Sequence, residues 1–293
     1  MDVKTIGIIG AGTMGRGIAY AAAFGGYRTI LEDVSPAMLE QGVAYIRQAL
    51  EEGVTRGKVN PGQRDSAIAN LSASSSVEDV CRRADLLIEA VPEEMELKLE
   101  IFAIFDKFSK HDAILASNTS SLSVGEMAAM TVRASRCIGL HFFNPVPKMK
   151  LLEIVRALET SDATVAACAE VGRRMGKEVV IVRESPGFIT SRINAMIGNE
   201  AFYMLQEGIA SAEDIDKALK LGLNHPMGPF ELVDLVGLDV RLHILEHLRK
   251  TLGEKYRPCP LLAQYVGAGR LGRKSGRGVY EYTEAGERKP PAR

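Results

Sequence analysis

Short apolar runs alternate with stretches of helical spacing through the first 183 residues. The runs at 4–10, 27–33, 84–90, 112–116, 136–142, 150–156 and 178–183 are rich in Ile, Val and Leu and short enough to be strands. Most are separated by segments whose apolar residues recur every three or four positions. Strands alternating with helices predict an α/β fold, a mostly parallel sheet covered on both faces. The interval from the second strand to residue 72 is longer than one crossover requires. Residues 36–53 and 61–70 read as two helices around an Asn60-Pro61-Gly62 break, and are expected to protrude from the sheet.

The pattern changes at Glu184-Ser185-Pro186-Gly187. Beyond that breaker cluster, helical spacing dominates until Gly278-Val279-Tyr280, which reads as a short strand. Residues 188–207 place Ile189, Ile193, Met196, Ile197 and Met204 roughly on one face. Ser211 with Asp214 three residues later opens another helix, and 229–251 and 260–269 also read as helices. The expected organisation is an α/β domain over 1–184 and a smaller all-helical domain over 185–293.

Composition narrows the class. Of 293 residues, 46% are hydrophobic and 25% charged, the balance of an ordinary globular chain long enough for two cores. A net charge of −1 offers no concentrated basic surface, so nucleic acid and anionic membrane are not expected partners. Cys81, Cys137, Cys168 and Cys259 are far apart and form no CxxC pair, which fits reduced thiols. Met1-Asp2-Val3-Lys4 leads straight into an apolar strand, and no apolar run approaches the roughly 18 residues of a membrane span. A cytoplasmic protein is expected.

Two stretches carry candidate chemistry. Gly10-Ala11-Gly12-Thr13-Met14-Gly15 follows an apolar strand, opens a helical pattern, and has an acidic residue, Asp33, at the end of the next strand. This context is the dinucleotide-binding fingerprint. The first glycine permits the turn, the second lets backbone amides approach a pyrophosphate, and the third lets helix and strand pack closely. A carboxylate at Asp33 suits the adenosine ribose hydroxyls and repels a 2′-phosphate, so NAD is favoured over NADP. Glu32 is adjacent, but strand alternation lets only one of the two face the ribose.

The second stretch is residues 139–155. His141 sits near the end of a strand, and Glu153 shares a face with Leu151 and Val155 on the next one. A carboxylate on an apolar face is costly unless paired. A histidine backed by a carboxylate suits oxidation of an alcohol, in which a base takes the hydroxyl proton as a hydride leaves. Read alone, these residues fit a hydrogen-bonded core histidine and a solvated edge glutamate equally well. His243 and His247 share a helix face, but the segment is not HExxH and offers no third ligand, so no metal is expected. His111 reads as loop surface and His225, before Pro226, as a helix-ending turn.

Six motifs, spread over nearly the whole chain, resemble the L-3-hydroxyacyl-CoA dehydrogenases, and among them the bacterial-type 3-hydroxybutyryl-CoA dehydrogenases. They are GAGTMG from 10, SNTSSL from 117, GLHFFNPVPKMKLLEIV from 139, SPGFITSRI from 185, LGLNHPMGPFELVDLVGLD from 221 and GRKSGRGVYEY from 272. The resemblance implies a Rossmann-like domain followed by a helical domain that forms a homodimer. It implies NAD as cofactor, an acyl-CoA substrate, and oxidation of a short-chain (S)-3-hydroxyacyl-CoA to the 3-oxoacyl-CoA or the reverse. It implies His141 as catalytic base with Glu153 as its partner, and Ser120 against the substrate oxygen near the nicotinamide. Glu93, Lys98, Asn144 and Lys274 match family cofactor contacts, and Asn144 is also expected near substrate. The protruding helices would offer Arg47, Arg56 and Lys58 to the CoA phosphates.

One position departs from the pattern. Many members carry asparagine where this chain has Ser191, near the substrate. Ser191 is expected to take that role, with Asn194 one helical turn on as the alternative. Other expectations compatible with the motifs are a 3-hydroxyadipyl-CoA or sugar-acid dehydrogenase, and a crystallin-like protein that only binds NAD. Intact His141, Glu153 and Ser120 speak against the last.

Overall fold

The computed structural model describes residues 2–290, and the chain divides into two compact units, Met1–Ser185 and Pro186–Arg293. In the first, eight strands form one sheet: β1 (Thr5–Ile9), β2 (Arg28–Glu32), β3 (Leu71–Ser74), β4 (Leu86–Glu89), β5 (Ile114–Ser117), β6 (Cys137–Phe142), β7 (Leu151–Arg156) and β8 (Glu178–Arg183). Their order across the sheet is β3-β2-β1-β4-β5-β6-β7-β8. The pairs from β3 to β6 are parallel, β6 and β7 are antiparallel, and β7 and β8 are parallel again.

Seven helices accompany the sheet: α1 (Thr13–Phe24), α2 (Pro36–Thr55), α3 (Pro61–Asn70), α4 (Val77–Arg83), α5 (Met95–Phe108), α6 (Val124–Ala128) and α7 (Asp162–Arg174). Alternating side chains of β1 divide between two cores. Ile6 and Ile8 join residues of α1 and α7, such as Ile18, Ala22, Cys168 and Val171, on one face. Ile9 joins Val80, Phe102, Phe105 and Met127 from α4, α5 and α6 on the other. Burial on both faces explains why the strands read as continuous apolar runs. The break between α2 and α3 is a capping box, in which Asn60 Oδ1 accepts from the Gln63 amide and Gln63 Oε1 accepts from the Asn60 amide.

β3 was not expected from the sequence. Its residues, Leu-Ser-Ala-Ser, carry little apolar signal because the strand lies at the sheet edge, where Ser72 and Ala73 are exposed. It is recruited by pairing with β2 rather than by burial.

The second unit contains α8 (Thr190–Gln206), α9 (Ala212–Gly222), α10 (Pro229–Val236), α11 (Leu238–Leu252) and α12 (Pro260–Gly267). Residues 229–251, expected as one helix, are two, because Gly237 between them takes φ 110°. Gly278-Val279-Tyr280, expected as a strand, forms only isolated bridges around Arg277, Glu281 and Tyr282. That segment is held by carboxylates instead. Asp234 accepts from the Val279 and Tyr280 amides and the Tyr282 hydroxyl, and Asp216 accepts from the Tyr280 hydroxyl.

The core face of α8 also differs from the expected stripe. Ala195, Gly198, Asn199 and Phe202, spaced i, i+3, i+4, i+7, are buried. Ile189 and Ile193 are exposed, and with Phe188, Met196, Ile197 and Tyr256 they line an open cleft of about 500 Å³. Hydropathy alone favoured the isoleucines, whereas close helix packing selected a face of small residues around Phe202.

Candidate active site

The strand register brings the functional segments to one edge of the sheet. Ile9 lies opposite both Glu32 and Glu89, Glu89 lies opposite Ser117, and Ser117 lies opposite Gly139. The segments leaving these strands therefore emerge side by side: Gly10–Gly15, Asp33, Val91–Glu93, Asn118–Ser120 and the end of β6 with His141. In open parallel sheets this edge, beside the point where strand order reverses, is where ligands bind. Here the reversal falls between β1 and β4.

The glycine-rich turn has the shape a dinucleotide needs. Gly10 has φ 101°, and a Cβ there would lie 2.8 Å from the Ala90 carbonyl oxygen. A Cβ on Gly15 would lie 1.7 Å from the Gly10 carbonyl oxygen, so only glycine allows α1 to start this close to β1. Above Gly12 there is open space, and no side chain caps the N-terminus of α1. The positive end of the helix is thus available to an anion. Ala11 contributes its amide to Asp33 Oδ2 at 2.8 Å, and the Ser35 amide donates to Asp33 Oδ1 at 2.8 Å, which holds the carboxylate at the lip of the turn. Thr13 and Met14 begin the helix.

Glu32 and Asp33 are separated by their strand faces. Glu32 is buried, with no hydrogen-bond partner at Oε1 among the described residues. Burial, with the neighbouring Asp33 charge, pushes its carboxyl up to about 7.

His141 and Glu153 face one another across the antiparallel β6–β7 ladder. His141 Nδ1 and Glu153 Oε2 are 2.7 Å apart, and both side chains are buried. A carboxylate at Nδ1 fixes the proton there in the neutral ring and leaves the lone pair on Nε2. The Phe143 ring packs on the imidazole with centroids 4.3 Å apart. The Phe142 amide donates to Asn118 Oδ1, tying the end of β6 to the segment carrying Ser120.

Glu93 organises that segment. Its Oε1 accepts from Thr119 Oγ1 at 2.6 Å, from the Ser120 amide at 2.8 Å and from Ser120 Oγ at 3.2 Å. Partial burial works against its charge, yet Lys98, the Thr119 hydroxyl and the Ser120 amide together hold its carboxyl below the usual range. Lys98 is fully buried, its Nζ 2.7 Å from Glu89 Oε1 and 3.2 Å from Glu93 Oε2, so it acts under the site rather than at its mouth.

The remaining expected residues lie elsewhere. Asn144 is exposed just beyond β6. Arg47 lies on α2, and Arg56 and Lys58 lie in the turn after it; Arg56 pairs with Glu52 at 3.3 Å with both side chains exposed. In the second unit, Ser191 and Asn194 are half-buried on the first turns of α8, and Lys274 Nζ is 2.7 Å from Asp239 Oδ2. Three residues escaped sequence reading. Glu89 and Asn118 are described above. Lys177, whose Nζ donates to the Val146 and Met149 carbonyls, secures the link between β6 and β7. For Glu89 a signal was present, a lone carboxylate closing an apolar strand nine residues before Lys98.

All four cysteines are free and buried, and burial pushes the thiols of Cys81 and Cys168 up to about 12 and of Cys137 to about 11. Among the described residues no cluster of His, Cys, Asp or Glu is placed to hold a metal, and no helix is long and apolar enough to cross a membrane.

Residues 5–185 match the family described as "3-hydroxyacyl-CoA dehydrogenase, NAD binding domain", and residues 187–282 match "3-hydroxyacyl-CoA dehydrogenase, C-terminal domain". The chain belongs to the 3-hydroxyacyl-CoA dehydrogenase family. Within it, the chain is 46% identical to a protein of Bacillus subtilis (strain 168) named "Probable 3-hydroxybutyryl-CoA dehydrogenase", over 97% of this chain and 99% of that one. It is 45% identical to a 3-hydroxybutyryl-CoA dehydrogenase of Bradyrhizobium diazoefficiens, over 97% of each. The crystal structure of (S)-3-hydroxybutyryl-CoA dehydrogenase from Ralstonia eutropha superimposes with a TM-score of 0.94 at 45% identity, covering 97% of this chain and all of that one. Like its family, the chain is an NAD-dependent oxidoreductase of CH–OH donors with a Rossmann-like domain and a helical C-terminal domain. The open turn above Gly12, the uncapped α1 terminus and Asp33 fit NAD.

Proposed function

We propose that this protein oxidises the 3-hydroxyl of a short-chain (S)-3-hydroxyacyl-CoA such as 3-hydroxybutyryl-CoA, and catalyses the reverse reduction. The observation that carries the chemistry is the His141–Glu153 pair, buried, 2.7 Å apart and in strand register. His141 Nε2 takes the hydroxyl proton as the C3–H bond breaks. Glu153, already hydrogen-bonded at Nδ1, stabilises the imidazolium that results. Ser120, held through its amide by Glu93, turns its hydroxyl from Glu93 to donate a hydrogen bond to the substrate oxygen. NAD, when bound, supplies the hydride acceptor. The turn at Gly10–Gly15 and the carboxylate of Asp33 hold its pyrophosphate and adenosine ribose, with Asn144, Glu93 and Lys274 as further contacts.

The substrate class is supported by the relatives' names, since the acyl-CoA chemistry leaves no signature in His141 and Glu153 themselves. Arg56 and Lys58 are offered to the CoA phosphates, and Ser191 replaces the usual asparagine. The first unit is the cofactor domain, and the second serves substrate binding and dimerisation. The exposed Ile189 and Ile193 of its apolar cleft support a homodimer. A cytoplasmic setting is part of the same reading.

The test is NADH formation with (S)-3-hydroxybutyryl-CoA, 3-hydroxyadipyl-CoA and free 3-hydroxybutyrate at equal concentration. The proposal expects the first to be oxidised fastest. Preference for the dicarboxylic thioester or the free acid overturns the substrate assignment, and NAD binding without turnover of any of them overturns the activity.

A further inference from the structure

Beneath the site, buried polar groups that the reaction itself does not use lead up to Glu93 and Ser120. Glu89 ends β4 and is fully buried. It lies opposite Ser117 in the β4–β5 register. One carboxylate oxygen accepts from Lys98 Nζ at 2.7 Å and from the Val91 amide at 2.7 Å, and the other accepts from Ser117 Oγ at 2.6 Å. Lys98 is fully buried too, and its second carboxylate partner is Glu93 at 3.2 Å. Glu93 then holds Thr119 and both the amide and the hydroxyl of Ser120. The Thr119 hydroxyl in turn accepts from the Ser121 and Leu122 amides.

The order of these links matters. The Glu93 side chain is 39% exposed and stands on a segment between strand and helix, so its place depends on the groups that hold it from below. Lys98 holds it, and Lys98 is itself held by Glu89, which is rooted in β4 and braced by Ser117 at the end of β5. A lysine held between two carboxylates has a definite position, whereas one left with a single, part-exposed carboxylate is less constrained.

We propose that Glu89 is a positioning residue for the dehydrogenase reaction. It acts through Lys98 and Glu93 to set the place of Ser120 before any ligand binds. This rests on the reading that Ser120 meets the substrate oxygen. Ser117 supports Glu89 from the neighbouring strand. No new bond chemistry is involved; the consequence is geometric. A displacement of about 1 Å in a group that orients substrate costs on the order of a hundredfold in rate.

The experiment compares Glu89→Gln, the charge-balanced double variant Glu89→Gln/Lys98→Met, and Ser120→Ala. For each, kcat and KM for both substrates are measured. Melting temperature and amide hydrogen exchange of Ser120, Ser121 and Leu122 are followed in the NAD-free protein. Glu89→Gln is expected to lower kcat about tenfold or more and to speed exchange of those three amides by a similar factor. The double variant is expected to regain the melting temperature but not kcat or amide protection, which separates positioning from bulk stability and covers the case in which Glu89→Gln folds poorly. Wild-type kcat and protection in Glu89→Gln overturn the proposal, as does a double variant that regains kcat together with its melting temperature. Full activity in Ser120→Ala overturns the reading of Ser120, and with it the proposal. Loss of activity in Ser120→Ala beside an unaffected Glu89→Gln overturns the proposal and leaves that reading intact.

Discussion

Replacing Glu32 should make this protein more stable, and by an amount that depends on pH. Its carboxyl is buried at the end of β2, lacks a partner at Oε1 among the described residues and sits beside Asp33; burial and that charge push it from 4.5 to about 7. The other titratable group coupled to it is Cys81, whose thiol is pushed up to about 12 and so stays neutral over the relevant range. In the folded protein Glu32 keeps its proton until about pH 7, whereas in the unfolded chain it releases it above about pH 4.5. Between those values the native state binds more protons, so stability falls as pH rises. The fall begins above the unfolded value and is complete once pH passes the folded one. At about 1.4 kcal/mol per pH unit the whole penalty is about 3 kcal/mol. Glu32→Gln removes the ionisation and keeps the shape. Glu32→Val, matching the buried Ile30 on the same strand face, removes the polarity as well. Urea melts of NAD-free protein at about pH 5 and about pH 8 should show the variants gaining on wild type by several times more at the alkaline value than at the acidic one. Parallel pH profiles for wild type and both variants would refute the reasoning, because they would mean that Glu32 is ionised at no cost in the folded state.

Three further outcomes can be checked directly. His141→Ala should lower kcat by about a hundredfold or more, the low end for a lost general base, and a smaller loss in steady-state kinetics would remove His141 from that role. Asp33→Ala should narrow the preference for NAD over NADP by about tenfold, read from kcat/KM with each cofactor, because the carboxylate both accepts from ribose hydroxyls and repels a 2′-phosphate. Arg241 is 2% exposed, burial lowers its pKa to about 10, and its Nε has no partner among the described residues. Arg241→Met should therefore raise the melting temperature, with a gain of about 1 kcal/mol or more in chemical denaturation.

The cofactor half of the site was legible because its requirements are local. A glycine turn after a strand and an acid at the end of the next strand are read within 24 residues, and the structure puts Gly10–Gly15 and Asp33 in contact. The strands of the central sheet were legible for a related reason, since burial on both faces writes each one as an apolar run. Features set by pairing or packing were harder to see. β3 owes its strand state to β2, not to its own composition. The face of α8 that packs has Ala195, Gly198 and Asn199 beside Phe202, and a count of large apolar residues passes over the small and polar members. Helices α10 and α11 ran together because a single glycine in a periodic pattern gives no sign that its φ is positive. The polar chain from Glu89 to Ser120 joins residues up to 31 positions apart, and nothing in their spacing announces it.

The antiparallel seam between β6 and β7 has a consequence for how this site can change. The His141–Glu153 pair is held by the ladder, not by the link from Phe143 to Lys150 that joins the two strands. A strand shifted by one residue turns every side chain to the opposite face, so the pair has no intermediate states: the edge of the sheet is docked in register and the base is armed, or it is displaced and the base has no counter-charge. Activity thus serves as a built-in reporter of whether the last two strands have docked correctly. Within the link, Phe143 packs on the imidazole and Lys177 anchors the Val146 and Met149 carbonyls, so its exposed positions, such as Lys148, are where selection, or an engineer, can reshape what the active site admits without disturbing the pair.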